Sequence, residues 1–302
     1  MRLIVVGGVA AGLSAASRAR RLATATEILV LEKGERISYG ACGLPYLIEG
    51  QVRSIDELTV YSPEFFRQER NIDVRTGAEV TALHPARREV VLASGERLGY
   101  DALVWAAGAR PRERHDHPRV FSLHTDVDAR RLEHALARQP RTAAVVGGGY
   151  IGLEMAGALR ARGLDVELHD RGPHLLHWNE AWLTDLLRER LEQSRVRVHL
   201  NSPVSDPTAL THDLILTAVG LRPNAEIPAA AGAETGRSGA LRVNEHCETS
   251  LAGVFAAGDC CEVTHAATGA PAWVPLGTTA NKMGRVAGRS EEHTSELQSL
   301  TN

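Results

Sequence analysis

Apolar residues come in short runs, and two of these runs open the same series of events. Residues 2–6, RLIVV, are too few for a helix, and Gly7-Gly8-Val9-Ala10-Ala11-Gly12 follows at once. A short apolar run bounded by turn residues reads as a buried parallel strand. LSAASRARRL then spaces its apolar positions with helical period, and EILVLE (27–32) is a second buried strand closing on an acid. The series returns in mid-chain. AAVV (143–146) is the strand, Gly147-Gly148-Gly149-Tyr150-Ile151-Gly152 the turn, LEMAGALRARG the helix, and DVELHD a strand ending at Asp170.

Strand, glycine turn, helix, strand and acid is the order that a dinucleotide site requires. Glycine lets the backbone approach the pyrophosphate, the helix N-terminus faces its charge, and the acid accepts the ribose hydroxyls. Glu32 lies 25 residues after Gly7 and Asp170 lies 23 after Gly147, near the usual spacing of about 20. Val9 holds a position where the first motif wants glycine. One such turn is a weak signal, whereas two complete copies predict that the chain binds two dinucleotides. Asp170 favours the free ribose of NADH, with NADPH left open by the neighbouring Arg171. The first site then holds a different, permanent cofactor such as FAD, giving a nicotinamide-to-flavin electron path.

A length of 302 residues gives a prior of about two domains. Hydrophobic residues make up 43% and the net charge is −3, which argues against nucleic acid or an anionic membrane as partner. No apolar run approaches the roughly 20 residues of a membrane span, and MRLIVVGG runs into a strand and turn rather than a cleavable signal. Four cysteines in a chain this long are no disulfide scaffold, so a reducing, cytoplasmic setting is expected.

Ten residues beyond Glu32, SYGACGLPY sets Cys42 among small residues that would let its sulfur approach a planar ring. ISYGACGLPYLIEG, taken after VVGGVAAGLSAASRARR, resembles the single-cysteine branch of the pyridine nucleotide–disulfide oxidoreductases. Coenzyme A disulfide reductases, related persulfide reductases, NADH oxidases and NADH peroxidases belong to that branch. LVWAAGARP (103–111), GGGYIGLE, TAVGLRPN (217–224), VFAAGDCCEV (254–263) and VPLGTTANKMGRVAG (274–288) extend the resemblance through residues 1–288.

The resemblance implies an α/β chain with two Rossmann-like domains in the glutathione-reductase-like FAD/NAD(P) fold. The FAD domain is expected in two pieces, 1–110 and 228–288, around an NAD(P)H domain at 111–227. Gly7, Gly8, Gly12, Glu32, Gly108 and Asp259 would hold FAD. Gly147, Gly149, Gly152 and Asp170 would hold NAD(P)H, with Tyr150 covering the flavin until nicotinamide arrives and Glu154 beside that exchange. Cys42 would be the redox sulfur. Where the dithiol branch has its second cysteine stands Leu47, so Cys42 would cycle alone through a mixed disulfide, persulfide or sulfenic acid.

The implied activity is NAD(P)H-dependent reduction of coenzyme A disulfide, a persulfide or a polysulfide, with Ser14, Arg18, Arg21, Ser38 and Arg70 along the substrate. One helical turn separates Arg18 and Arg21, so both can reach one phosphate-rich ligand. Ala10 stands where peroxidase and oxidase members carry a histidine, which speaks against oxygen or peroxide as the main acceptor. Ala41 replaces an asparagine of some reductases and leaves the acceptor open. NADH oxidase or peroxidase activity through Cys42 sulfenic acid is the runner-up, and a non-catalytic flavin-binding redox sensor or inactive fragment is the third reading. No metal site is expected: Cys260 and Cys261 lack a second ligand pair at zinc spacing. Cys247 and the histidines, His84, His115 and His117 among them, are placed in loop-like stretches without a role.

Family members continue past this point into a domain that forms a homodimer. RSEEHTSELQS (289–299) resembles, codon by codon, a translated sequencing adapter. The expectation is a native chain cut near Gly288, its dimerisation domain missing and 289–302 foreign to the fold.

Overall fold

A computed structural model describes residues 1–176, 180–265 and 267–300, with the backbone course alone for residue 181 and for 290–300. In chain order it begins with β1 (Arg2–Val6), α1 (Ala10–Leu22), β2 (Glu27–Leu31), α2 (Leu44–Glu49), α3 (Pro63–Arg70) and β3 (Asp73–Arg75). Then come β4 (Val80–His84), β5 (Glu89–Leu92), β6 (Arg97–Gly99), β7 (Ala102–Trp105), β8 (Ala109–Pro111) and β9 (Val120–Phe121). The middle of the chain supplies α4 (Asp126–Leu136), β10 (Thr142–Val146), α5 (Tyr150–Ala161), β11 (Asp165–His169), α6 (Ala181–Gln193), β12 (Val196–His199) and β13 (Leu214–Thr217). Last are β14 (Leu221–Pro223), α7 (Glu226–Ala230), β15 (Leu241–Arg242), β16 (Val254–Ala256), β17 (Cys261–Thr264), β18 (Pro271–Ala272) and α8 (Gly277–Leu300).

Two compact units result. The first takes residues 1–39, 59–110 and 222–302, and the second takes 40–58 and 111–221. A five-stranded parallel sheet in the order β16-β7-β1-β2-β3 centres the first unit. Leu3, Ile4 and Val5 of β1 are fully buried in it, as a strand covered on both faces requires. Helix α1 lies against α8, and the sequence permits a close crossing there. Gly284 and Gly288 of α8 pack on Ala11 and Ala15 of α1, where any Cβ would strike the Ala11 and Ala15 carbonyls. Small residues four apart on both helices bring the backbones together.

The second unit repeats the plan with a parallel sheet ordered β12-β11-β10-β13-β9. Val145, Val166, Leu168 and Ile215 are fully buried within it. Helix α4 starts from a reciprocal capping box between Thr125 and Asp128. The segment 40–58, assigned from sequence to the first domain, packs with this unit instead. Its α2 lies against α4 and α5 and buries Leu44, Leu47 and Ile48. Two histidine placements also need correction. His84 ends strand β4, and His199 ends β12, paired directly across from His169 of β11. Of the supposed foreign tail, the side chains from 290 onward lie outside the described residues. Among the described residues no helix is long and apolar enough to cross a membrane.

Candidate functional site

Each sheet carries one glycine turn, and the two are built alike. Gly7 and Gly147 stand at φ +111° and +109°, a region that side-chain-bearing residues rarely enter. A Cβ on Gly12 would run into the Gly7 carbonyl oxygen, and one on Gly152 into that of Gly147. Glycine is therefore required for the helix to begin this close to the strand it follows.

The acids close both turns the same way. Glu32 accepts the Gly8 amide at 2.7 Å through Oε2 and the Gly34 amide at 2.7 Å through Oε1. Asp170 accepts Gly148 at 2.6 Å through Oδ2 and Gly172 at 2.7 Å through Oδ1. Each carboxylate oxygen keeps a second lone pair for a ribose hydroxyl. Gly8 is tight as well, because a Cβ there would lie 2.7 Å from Ile37 Cγ2. Gly149 has open space around its α-carbon, so packing does not require glycine there. Tyr150 opens α5 half exposed, and Glu154 lies on the same helix, exposed.

Asp259 follows Gly258 after β16. Its Oδ1 is sealed from solvent and has no hydrogen-bond partner, and burial pushes the carboxyl up to about 6. An orphaned buried acceptor of this kind calls for a donor from outside the chain, and a hydroxyl of a bound flavin nucleotide fits it. Trp273 Nε1 donates to the Asp259 carbonyl at 2.8 Å and fixes the backbone.

Gly108, at φ +65°, belongs to a loop held by a residue that sequence inspection passed over. Asn224 donates its amide to the Gly108 carbonyl at 2.9 Å and its Nδ2 to Ala107 at 2.7 Å, and it accepts Trp105 Nε1 at 2.8 Å. Arg110 reaches Asn224 Oδ1 at 2.6 Å while pairing with Glu226. The terminal Asn of TAVGLRPN was the available signal.

Of the four cysteines, Cys42 alone is exposed. It sits in a 3₁₀ turn, Ala41–Gly43, and α2 begins at the next residue. Burial pushes Cys247 up to about 12 and Cys261 well above the usual thiol range. Cys260 is fully buried with its sulfur 3.6 Å from that of Cys261. Leu47, five residues beyond Cys42, is buried in α2.

The expected substrate residues all fall in the first unit. Ser14, Arg18 and Arg21 share a face of α1, where Ser14 Oγ donates to Asn281 Oδ1 at 2.8 Å. Ser38 adopts φ +54° and donates its amide to the Gly8 carbonyl at 2.9 Å. Arg70, at the end of α3, stands 5.5 Å over the Phe65 ring.

Comparison with known proteins agrees with this geometry. Over 306 residues the chain is 37% identical to an NAD(P)H sulfur oxidoreductase (CoA-dependent) of Pyrococcus abyssi, covering 95% of this chain and 68% of that one. It is 34% identical over 313 residues to an NADH oxidase of Methanocaldococcus jannaschii, covering 96% and 70%. A solved NAD-dependent persulfide reductase from A. fulgidus superimposes with a TM-score of 0.91 at 32% identity over 95% of this chain, which spans 58% of that structure. Residues 1–284 match the pyridine nucleotide-disulphide oxidoreductase family, and the chain belongs to that family, whose members use FAD with NAD(P)H.

Proposed function

We propose that the chain is the nucleotide-binding portion of an NAD(P)H-dependent reductase of low-molecular-weight disulfides or persulfides, with Cys42 as its redox sulfur. Accessibility carries this reading: a disulfide can reach Cys42, while the other three cysteines are buried and two are held as thiols. The first unit, with Gly7, Gly8, Gly12, Glu32, Gly108 and Asp259, is assigned to FAD. The second, with Gly147, Gly149, Gly152 and Asp170, is assigned to NAD(P)H, and Tyr150 and Glu154 at the opening of α5 to its nicotinamide half. FAD, when bound, supplies the two-electron relay between nicotinamide and sulfur.

The chain's own part begins with positioning. Glu32 and Asp170, each fixed by two backbone amides, hold a ribose by its hydroxyls. Asp259 accepts a hydroxyl that lets it stay ionised in its buried place. Cys42 thiolate then attacks one sulfur of RS–SR, forming Cys42–S–SR and releasing one RS⁻. Two-electron reduction of that mixed disulfide releases the second thiol and returns the Cys42 thiolate. With Leu47 where a second cysteine would stand, no internal disulfide competes. Arg18 and Arg21 offer two guanidinium groups to the phosphates of a coenzyme A moiety, and the working enzyme is read as a homodimer.

The test is anaerobic and single-turnover. FAD-loaded protein is reduced with NADH, coenzyme A disulfide is added, and thiols are counted as flavin reoxidises. Two thiols per flavin, lost in Cys42→Ser, is the expected result. Reduced flavin that coenzyme A disulfide cannot reoxidise would overturn the choice of acceptor. The M. jannaschii relative's name favours oxygen as a second reading, and aerobic NADH consumption that outruns the disulfide reaction would establish it.

A further inference from the structure

Strand pairing in the second unit gathers a set of metal-ligating side chains that neither nucleotide site uses. In the parallel register of β11 and β12, Glu167 faces Arg197 and His169 faces His199. Residues two apart share a sheet face, so all four project from the same side, and His212 arrives there from the segment leading into β13.

Three imidazoles surround one carboxylate oxygen. Glu167 Oε2 lies 3.5 Å from His169 Nε2, 3.4 Å from His199 Nε2 and 3.7 Å from His212 Nε2. These separations exceed the 2.7–3.2 Å of an N–H···O hydrogen bond, and Nε2 of both His169 and His199 is buried without a hydrogen-bond partner. They match another arrangement. Donor atoms about 2.0–2.1 Å from one tetrahedral zinc stand about 3.3 Å from each other. The donor atoms of Glu167, His169 and His199 all lie within 4.8 Å of one another.

The surroundings orient these donors. Arg197 holds the other oxygen of Glu167, Oε1, at 2.6 Å, which turns Oε2 toward the histidines and keeps the guanidinium on the far side of the carboxylate. Ser202 Oγ lies 3.1 Å from His169 Nδ1, leaving Nε2 as that ring's free donor. Such outer partners are what fix ligand tautomer and direction in metal sites. The His169 and His199 rings are stacked, with centroids 4.6 Å apart and planes 15° from parallel. Joint coordination requires each ring to turn about χ2, a soft torsion for histidine.

We propose that Glu167, His169 and His199 bind a divalent transition-metal ion of the zinc class, with His212 beside the shared carboxylate oxygen. Two imidazoles and one carboxylate select such an ion over magnesium or calcium, which take oxygen donors. The ion clips edge strand β12 to β11 at their C-terminal ends. Asp170, which follows His169 and donates its amide to the His199 carbonyl at 2.9 Å, is then held at a braced strand end.

Equilibrium dialysis of the full chain against zinc, followed by metal analysis, tests this directly. One zinc per chain is expected in the wild type and in the control His134→Gln. In His169→Gln and His199→Gln, affinity should fall by more than the about tenfold to hundredfold that an outer-shell change costs. Cobalt(II) added to the wild type gives a readout that does not depend on variants folding. Intense visible d–d bands without a thiolate charge-transfer band identify a four-coordinate nitrogen and oxygen site. No zinc on the wild type, undiminished zinc on folded cluster variants, or a thiolate band from cobalt would each overturn the proposal.

Discussion

Asp259 offers the sharpest test of the flavin site, because its carboxyl is costly to the protein without a ligand. Burial raises it from 3.8 to about 6, and Oδ1 has no partner. A folded-state value above the unfolded one means that stability is intact below about pH 4 and is lost as pH rises through about 6. A shift of about two units at about 1.4 kcal/mol each makes the loss about 3 kcal/mol at neutral pH. Asp259→Asn keeps the shape and removes the charge. Urea unfolding of flavin-free protein should therefore show the variant more stable by up to about 3 kcal/mol at pH 7.5, with the gap closing toward pH 4. FAD affinity should move the other way. Exchanging a charged acceptor for a neutral one costs about 1 kcal/mol, or roughly fivefold to tenfold in Kd by titration at pH 7.5. Parallel pH profiles for the two proteins would refute the buried-charge reasoning, and unchanged FAD affinity would refute the assignment of Asp259 to the flavin.

Three further outcomes follow from local geometry. Gly152→Ala should abolish NADH binding by calorimetry while FAD stays bound, since its methyl would collide with the Gly147 carbonyl; Gly149→Ala, with open space around it at the N-cap of α5, should lower the unfolding midpoint of the nucleotide-free protein far less than Gly152→Ala does. Gly284→Ala, forced against the Ala11 carbonyl, should separate α8 from α1 and lower stability by about 1–3 kcal/mol in urea. Asp213 accepts the Arg141 and Thr142 amides at 2.8 and 3.0 Å, and these bonds hold its carboxyl below the usual range. Its contribution is present above the ordinary carboxylate range and is lost as pH falls through the lower folded value, so Asp213→Asn should destabilise at pH 7 and not at pH 2, as read by thermal unfolding.

What the sequence disclosed and what it concealed divide along the range of the interactions involved. Gly7, Gly12 and Glu32 act within one strand–turn–helix–strand passage, and the backbone collision that demands glycine is set by residues five apart. Such constraints are written locally, so both turns and their acids stand where the motif places them. Segment 40–58 is different. Its apolar Leu44, Leu47 and Ile48 announce that α2 will be buried, but nothing in their identity says by what, and α4 and α5 lie about 100 residues on. Asn224 is concealed for the same reason, since its bonds to Ala107 and Gly108 join residues far apart in sequence.

The histidine cluster shows how register turns unremarkable residues into a constellation. ELH at the end of β11 and RVH at the end of β12 each alternate a charged residue with a histidine, which by itself reads as the solvated face of a strand. Only when Val166 pairs with Val196 does His169 meet His199 and Glu167 meet Arg197. A slip of one residue would carry one strand's polar side chains to the opposite face. Buried Val166, Leu168 and Val196 on that face forbid the slip. The apolar residues that hold the sheet together thus also hold the three Nε2 atoms around Glu167. Retaining zinc should accordingly depend on Leu168 packing as well as on the ligands: Leu168→Ala, which loosens the strand without touching a donor, should weaken zinc binding in dialysis, whereas a cluster assembled by flexible side chains alone would be indifferent to it.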